Sequence, residues 1–297
     1  CSKTYRSGST AYEVRRRSEP PPNSLRVNRI GSFFPSKPRS QILCVVSASS
    51  PPAYPPAGGL GSPVLLYLAA AGVGTIGVVD DDKVDLSNLQ RQIVHQTASV
   101  GLPKVESARQ TLAAINPDVT LVAHETRIGP DNAVDLISQY DLVADGSDNF
   151  ETRFLVNDAA YFAQKPLVSA AILRFDGQLA TFKAHDCDDE GHHGPCYRCI
   201  FREPPPPGQI PSCAEAGVLG ALCGTMGSLQ ATEILKELMG IGDSMSGSLL
   251  VYEGLAANFR KIKVKADPGC PLCGENPTIK DLSIHEGTDD GRVCNVG

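Results

Sequence analysis

A chain of 297 residues that is 41% hydrophobic can bury one large core or two small ones, which excludes an extended disordered protein. Its formal net charge of -6 excludes a general nucleic-acid binder, whose affinity rests on Lys and Arg neutralising phosphates. The richest apolar runs, at 64–71 and 217–222, are too short to span a bilayer, so a soluble, cytoplasmic protein with no membrane partner is expected.

In chain order, residues 1–56 are rich in Ser, Pro and Arg, with Arg15, Arg16 and Arg17 together and Pro20, Pro21 and Pro22 shortly after. No helical or strand period is sustained there, and the segment is expected to be irregular or foreign to the domain that follows. An Arg-rich, acid-poor organelle transit peptide is the alternative. One exception is the apolar run 42–46, which reads as a short buried strand.

From Gly58 onward apolar strands alternate with amphipathic helices, the signature of an α/β fold. Helices are expected at 61–72, 103–115, 132–139 and 151–164, with strands at 75–80, 119–123, 142–145 and 167–170. Further strand-like runs follow near Ile172 and at 178–183, then a polar loop to Ser212. A long helix starts near Ala214 and ends near Met239, and two late strands lie around Leu250 and Ile262. The expected fold is a Rossmann-like, mostly parallel sheet with helices on both faces and antiparallel strands added at one edge. The expected division is a domain over 57–280 and a polar tail over 281–297.

The chemistry begins at Gly58, Gly59 and Gly61, which open a helix. Residues without Cβ let the backbone approach a phosphate while helix N–H groups face it. About twenty residues on, the strand ending at Val79 runs into Asp80, Asp81 and Asp82, where nucleotide-binding sheets present a carboxylate to a ribose hydroxyl. Read singly, these are also a Gly-rich turn and an acidic strand end. More specific are the runs Asp85-Leu86-Ser87-Asn88-Leu89-Gln90-Arg91-Gln92 and Gly101-Leu102-Pro103-Lys104-Val105-Glu106, with Ala144-Asp145-Gly146-Ser147-Asp148-Asn149 after a later strand.

These runs, in this order over 58–277, resemble the MoeB/ThiF family, ATP-dependent activators of ubiquitin-like sulfur carriers that are kin to the ubiquitin-activating enzymes. The resemblance implies adenylylation of the carrier's C-terminal Gly-Gly carboxylate with release of pyrophosphate, serving molybdopterin, thiamin or tRNA thiolation. It implies ATP contacts from Gly59, Asp80, Ser87, Asn88, Leu89, Gln90, Arg91, Lys104, Asp148 and Asn149, with Asp148 as the Mg2+ ligand. It also implies a homodimer, and a sulfurtransferase as a second partner. The residue types suit the chemistry: Arg91 can fork onto phosphate oxygens, Lys104 is a compact cation, and a carboxylate holds Mg2+ through oxygen. Taken one at a time, Arg91 and Lys104 also read as surface cations and Asp148 as a helix N-cap.

Ten cysteines fit metal ligation and catalysis in a reducing compartment better than a disulfide scaffold. Cys196 and Cys199, with Cys270 and Cys273, form two C-x-x-C pairs whose four thiolates suit a tetrahedral structural Zn2+. The family resemblance implies zinc at the same four positions. Cys213 precedes the expected long helix, where a helix N-terminus lowers a thiol pKa. In the family the matching cysteine takes part in covalent linkage to the carrier or in sulfur transfer. Cys44, Cys187 and Cys223 suggest only packing or exposure.

Two rival readings remain at this level, a NAD-dependent oxidoreductase and a catalytically impaired interaction module of the same fold. The polar run ending in Arg91 suits a triphosphate better than a nicotinamide. The second rival draws on the N-terminus, because residues 47–56 separate the apolar run 42–46 from the glycines, and the family's loop follows its central strand directly. A foreign segment ahead of Ala57, a Pro-rich insertion and a different strand filling the gap are the three explanations.

Overall fold

The computed structural model describes residues 40–45, 58–187, 193–206 and 217–286. Eight strands form one sheet: β1 Gln41–Val45, β2 Thr75–Val79, β3 Thr120–His124, β4 Leu142–Asp145, β5 Leu167–Leu173, β6 Asp176–Phe182, β7 Ser248–Glu253 and β8 Asn258–Lys263. Their order is β3-β2-β1-β4-β5-β6-β7-β8. The first five in that order run parallel and the last three are added antiparallel, as expected from the sequence.

The apolar run ahead of the glycines is therefore the middle of the sheet. Ile42 pairs with Ile76 on one side and Leu142 on the other. Ile42, Leu43, Cys44 and Val45 are all buried, as a parallel strand with both faces covered requires. Alternation divides them. Ile42 and Cys44 pack into one core, while Leu43 and Val45 pack into the other, because successive side chains of a strand point to opposite faces.

Among the described residues the helices are α1 Gly61–Ala71, α2 Lys104–Ile115, α3 Ala133–Ser138, α4 Phe150–Phe162, α5 Tyr197–Ile200 and α6 Gly220–Met239. Residues of α1, α2 and α6 line the first core, and those of α3 and α4 the second. α1 stops at Gly72, whose φ of 84° lies in the left-handed region. That geometry lets Gly72 N–H donate to Ala69 O and Val73 N–H to Leu68 O, closing the last turn of the helix. Asn116, just past α2, donates from Nδ2 to Ala69 O at 2.9 Å and ties the two helices at that end.

Three sequence expectations change. The strand at Leu167 runs on to Leu173 and turns into β6 as a hairpin, so Ile172 belongs to it and not to a separate strand. The polar loop contains α5, four residues long. The long helix begins at Gly220 rather than near Ala214, after Gly217 with a φ of 72°. Cys213 lies outside the described residues, as does most of the segment 1–56. The tail expected to start at 281 is partly built in, since Leu282 is buried in the second core and His285 Nε2 lies 2.8 Å from Asp158 Oδ2.

Candidate active site

The sheet order reverses between β1 and β4, and in open α/β sheets the crevice outside the strand carboxyl ends at such a point is where ligands bind. β1 ends at Val45, β2 at Val79 and β4 at Asp145. Gly146 N–H donates to Val45 O at 3.1 Å, joining two of these ends. A Cβ on Gly146 would stand 3.2 Å from Leu60 Cβ and 3.4 Å from Gly61 N, so the β4 end also lies against the first turn of α1. Leu60, at the start of α1, provides no side-chain cap for the first N–H groups of the helix, which lie at this end of the sheet.

Asp80 follows β2 and is 1% exposed. Its Oδ1 accepts from Asp82 N–H at 2.9 Å. Its Oδ2 is buried without a hydrogen-bond donor and stands 3.9 Å from Lys104 Nζ. Burial pushes the Asp80 carboxyl up to about 7, although the Lys104 ammonium pulls the other way. Lys104 is itself 2% exposed and bonds Asp82 Oδ2 at 2.9 Å. The oxygens of Asp80, Asp81 and Asp82 lie close enough together to suggest a metal, but the Lys104 ammonium already stands against Asp80 and Asp82.

The run after β2 forms a short 3-10 turn at Leu86–Asn88. Asp85 caps it by accepting from Ser87 N–H at 2.8 Å and Ser87 Oγ at 2.5 Å, so the Ser87 hydroxyl is directed to Asp85. Asn88 returns the cap, with Oδ1 3.4 Å from Asp85 N. This aims its Nδ2 inward, where it is buried without an acceptor. Arg91 closes the turn through Nη1 to Ser87 O at 3.2 Å. A Cβ on Gly59 would come 3.3 Å from Arg91 Cγ, so the arginine stem lies on the glycine loop. Leu89 is half-buried and Gln90 exposed.

At the β4 end, buried Asp145 accepts from Ser147 N–H, Ser147 Oγ and Ser169 Oγ at 2.9, 2.6 and 2.7 Å. Arg153 Nη2 donates to Ser147 O at 2.7 Å. Asp145, Ser147 and Arg153 thus hold the loop that carries Asp148, a supporting role that the run 144–149 alone did not suggest. The N-cap of α4 is Asn149, whose Oδ1 accepts from Thr152 N–H at 2.7 Å. Capping is therefore not the work of Asp148, which is half-buried at the loop's end.

The four expected zinc cysteines converge. Cys196 leads into α5, Cys199 lies within it, and Cys270 and Cys273 sit on the turn before Gly274. Sulfur separations of 3.4 Å for Cys199–Cys273 and Cys196–Cys273, 3.5 Å for Cys196–Cys270 and 3.9 Å for Cys196–Cys199 compare well with the roughly 3.8 Å edge of a tetrahedron with ~2.3 Å zinc–sulfur bonds. A Cβ on Gly274 would stand 2.5 Å from Pro268 O and 2.6 Å from Cys270 O, so the tight turn needs glycine. Beside the cluster, Arg198 forks onto buried Asp158 at 2.8 and 2.7 Å, binding α5 to α4.

The ThiF family pattern matches residues 57–272, and the chain belongs to this family, as an adenylyltransferase of the MoeB/ThiF type. It is 54% identical over 230 residues to the sulfur carrier protein adenylyltransferase of Thermus thermophilus, covering 77% of this chain and 84% of that one. It is 54% identical over 219 residues to the probable adenylyltransferase/sulfurtransferase MoeZ of Mycobacterium tuberculosis, covering 74% of this chain and 55% of the relative. With mouse adenylyltransferase and sulfurtransferase MOCS3 the values are 47% over 232 residues, 77% and 48%. The chain thus spans about half the length of the two relatives that carry both activities in their names. Among solved structures, E. coli MccB with MccA has a TM-score of 0.64 at 17% identity, covering 80% of this chain and 67% of that one, a likeness of fold.

Two buried groups give the site opposite pH responses. Asp80 titrates near 7 in the fold against an ordinary 3.8, so the native state holds the extra proton between those values and loses stability as pH rises from about 4 to about 7. His95, 2.9 Å from Ser107 Oγ through Nδ1, is pushed down to about 4 by burial and then by Lys104. Its native state refuses a proton that the unfolded chain takes, so its contribution is lost as pH falls from about 6.5 to about 4. The two oppose over most of this range. Asp80→Asn is therefore expected to remove the fall toward pH 7 and leave the acid-side loss, measured as Tm against pH beside the parent chain. Parallel curves for the two proteins would contradict the assignment.

Proposed function

We propose that this chain binds ATP with Mg2+ in the crevice and transfers its AMP to the C-terminal glycine carboxylate of a ubiquitin-like sulfur carrier. The observation that carries this reading is that two of the expected ATP contacts, both on the run that follows β2, carry buried polar atoms without a hydrogen-bond partner. Asp80 Oδ2 is an acceptor awaiting a donor such as a ribose hydroxyl, and Asn88 Nδ2 is a donor awaiting an acceptor such as a phosphate oxygen. A buried polar atom left without a partner costs about 1–3 kcal/mol, so a ligand that satisfies both is strongly favoured. The name of the Thermus relative supports a sulfur carrier as the acceptor.

In the proposed reaction a carrier carboxylate oxygen attacks the α-phosphorus, the bond to the bridging oxygen breaks, and pyrophosphate leaves with the electron pair. No protein nucleophile is needed. The chain's task is to hold negative groups together: Gly58–Gly61 backbone against phosphate, Arg91 and Lys104 against the triphosphate, and Asp148 as the Mg2+ ligand. Zn2+ at the four cysteines has a structural role. Cys213 for sulfur handling, a homodimer, a separate sulfurtransferase and a cytoplasmic setting belong to the same proposal. Among the described residues no helix is long and apolar enough to cross a membrane.

Carrier-dependent exchange of labelled pyrophosphate into ATP is the direct test. The parent chain is expected to exchange and Asp148→Ala to lose about 100-fold or more of that rate, with Tm within a few degrees of the parent. A folded parent chain that exchanges no label with any ubiquitin-like carrier would remove the proposal.

A further inference from the structure

α6 comes unusually close to the phosphate loop and to the arginine turn, and small residues permit each approach. A Cβ on Gly220 would collide with the Gln90 carbonyl oxygen, and one on Gly227 would meet Pro63 Cγ and stand 2.6 Å from Leu60 O. Between them in sequence is Cys223, 3% exposed. A Cβ on Gly59 would stand 2.7 Å from Cys223 Sγ, 3.3 Å from Cys223 Cβ and 3.3 Å from Arg91 Cγ. Gly59 is thus enclosed by the thiol of α6 and the stem of Arg91.

The helix is also prevented from backing away. Gln230 Nε2 donates to Asp145 O at 2.8 Å and Val168 O at 3.0 Å, tying α6 to β4 and β5. Met226 is fully buried, with its Cγ and Sδ 2.5 Å from where a Cβ on Gly177 would stand. Because α6 is anchored on the sheet, a change of volume at residue 223 must be taken up by what lies on its other side. That is Gly59 and Arg91, since close-packed interiors transmit strain and do not absorb it.

We infer that Cys223 is a positioning residue of the nucleotide site, its small volume leaving room for Gly59 to seat in the phosphate loop and for the stem of Arg91 to lie across it. The inference rests on the ATP reading above. It requires a side chain at 223 small enough for Gly59 to seat, and it predicts that excess volume there acts on nucleotide affinity and leaves carrier affinity alone.

The test uses the full chain in the exchange assay, with ATP affinity also measured by calorimetry in the absence of carrier. Cys223→Leu is expected to weaken ATP binding and raise its KM roughly tenfold, about 1.4 kcal/mol, with the carrier KM changed less than about twofold. Cys223→Ala, which removes the thiol without adding bulk, is expected to restore ATP affinity to within about threefold of the parent. If Cys223→Leu does not fold, Cys223→Val takes its place with a loss of about threefold.

ATP affinity unchanged in a folded Cys223→Leu protein, or equal losses for ATP and carrier, would overturn the inference. So would a loss in Cys223→Ala as large as in Cys223→Leu, which would place the effect in the thiol and not in its volume. A parent chain that binds ATP but exchanges no pyrophosphate would defeat the adenylylation reading alone, and the calorimetric comparison would still decide Cys223. A parent chain that binds no ATP would defeat both.

Discussion

Replacing Lys104 by methionine is expected to reduce carrier-dependent pyrophosphate exchange by about 1,000-fold or more, a larger loss than any other single change at the crevice. The ammonium does two things at once. It stands 2.9 Å from Asp82 and 3.9 Å from Asp80, and in the proposed complex it faces the triphosphate. Removing one preorganised charge donor from a water-excluded site typically costs 100- to 1,000-fold, or about 2.7–4 kcal/mol. The second loss adds to the first, because Asp80 is held near 7 only with the help of Lys104. Without that cation its carboxyl rises further, and the proposed ribose acceptor becomes more fully protonated at neutral pH.

Stability should fall as well, though less than for a fully buried pair. Breaking a buried pair costs about 3–5 kcal/mol, but Asp82 is 20% exposed and can recover water. A loss of ~2 kcal/mol, or about 4–8 °C in Tm, is expected. Methionine keeps most of the stem volume, so collapse of the fold does not confuse the result. Exchange within about tenfold of the parent rate in a folded Lys104→Met protein would show that the ammonium serves Asp82 alone.

The succession of strands and helices could be read because each spans several repeats of its own period. Phe150–Phe162, thirteen residues long, is a clear instance. The place of Gln41–Val45 could not. Its identity as a strand follows from four consecutive buried apolar residues, but its central position is decided by pairing with residues some thirty and one hundred positions on, which no local pattern encodes. α5 has no signature in the sequence, because four residues carry no period. Its conformation is set by the cysteines at its start and by Asn157 Oδ1 accepting from Tyr197 N–H at 2.8 Å.

The candidate site divides in the same way. Asp80, Asn88, Arg91 and Lys104 were legible because charged and amide side chains at strand ends ask for a chemical reason. Asp145 and Arg153 were not, since their function is to hold a loop through hydrogen bonds to Ser147 and Ser169, which sequence spacing does not reveal. Cys223 read as a packing residue, and it is one. What makes it matter is that it packs on Gly59, far earlier in the chain, where α1 and α6 meet.

Loss of the proposed zinc is expected to loosen one end of the molecule while leaving the parallel sheet folded. The parent should carry about one zinc per chain by elemental analysis. Cys270→Ser should abolish it and lower Tm by roughly 6–12 °C, corresponding to about 3 kcal/mol for a domain of this size. The full binding energy of a structural zinc, about 10–16 kcal/mol in isolated fingers, will not appear as lost stability, because two large cores remain on the sheet. What would depend on the proposed metal is the small cluster of Cys196, Cys270, Leu272, Cys273, Ile279 and Ala184. Four sulfurs with separations of 3.4–3.9 Å in the closest pairs would be held far more firmly by a shared cation than by weak S–H donors. The fork of Arg198 on Asp158, with His285 on the same carboxylate, limits how far the opening spreads. Amide exchange should therefore quicken in α5 and over residues 267–282 but stay slow in β1, β2 and β4. A metal-free chain with the parent's Tm and full protection over 267–282 would show that the four thiols pack without an ion.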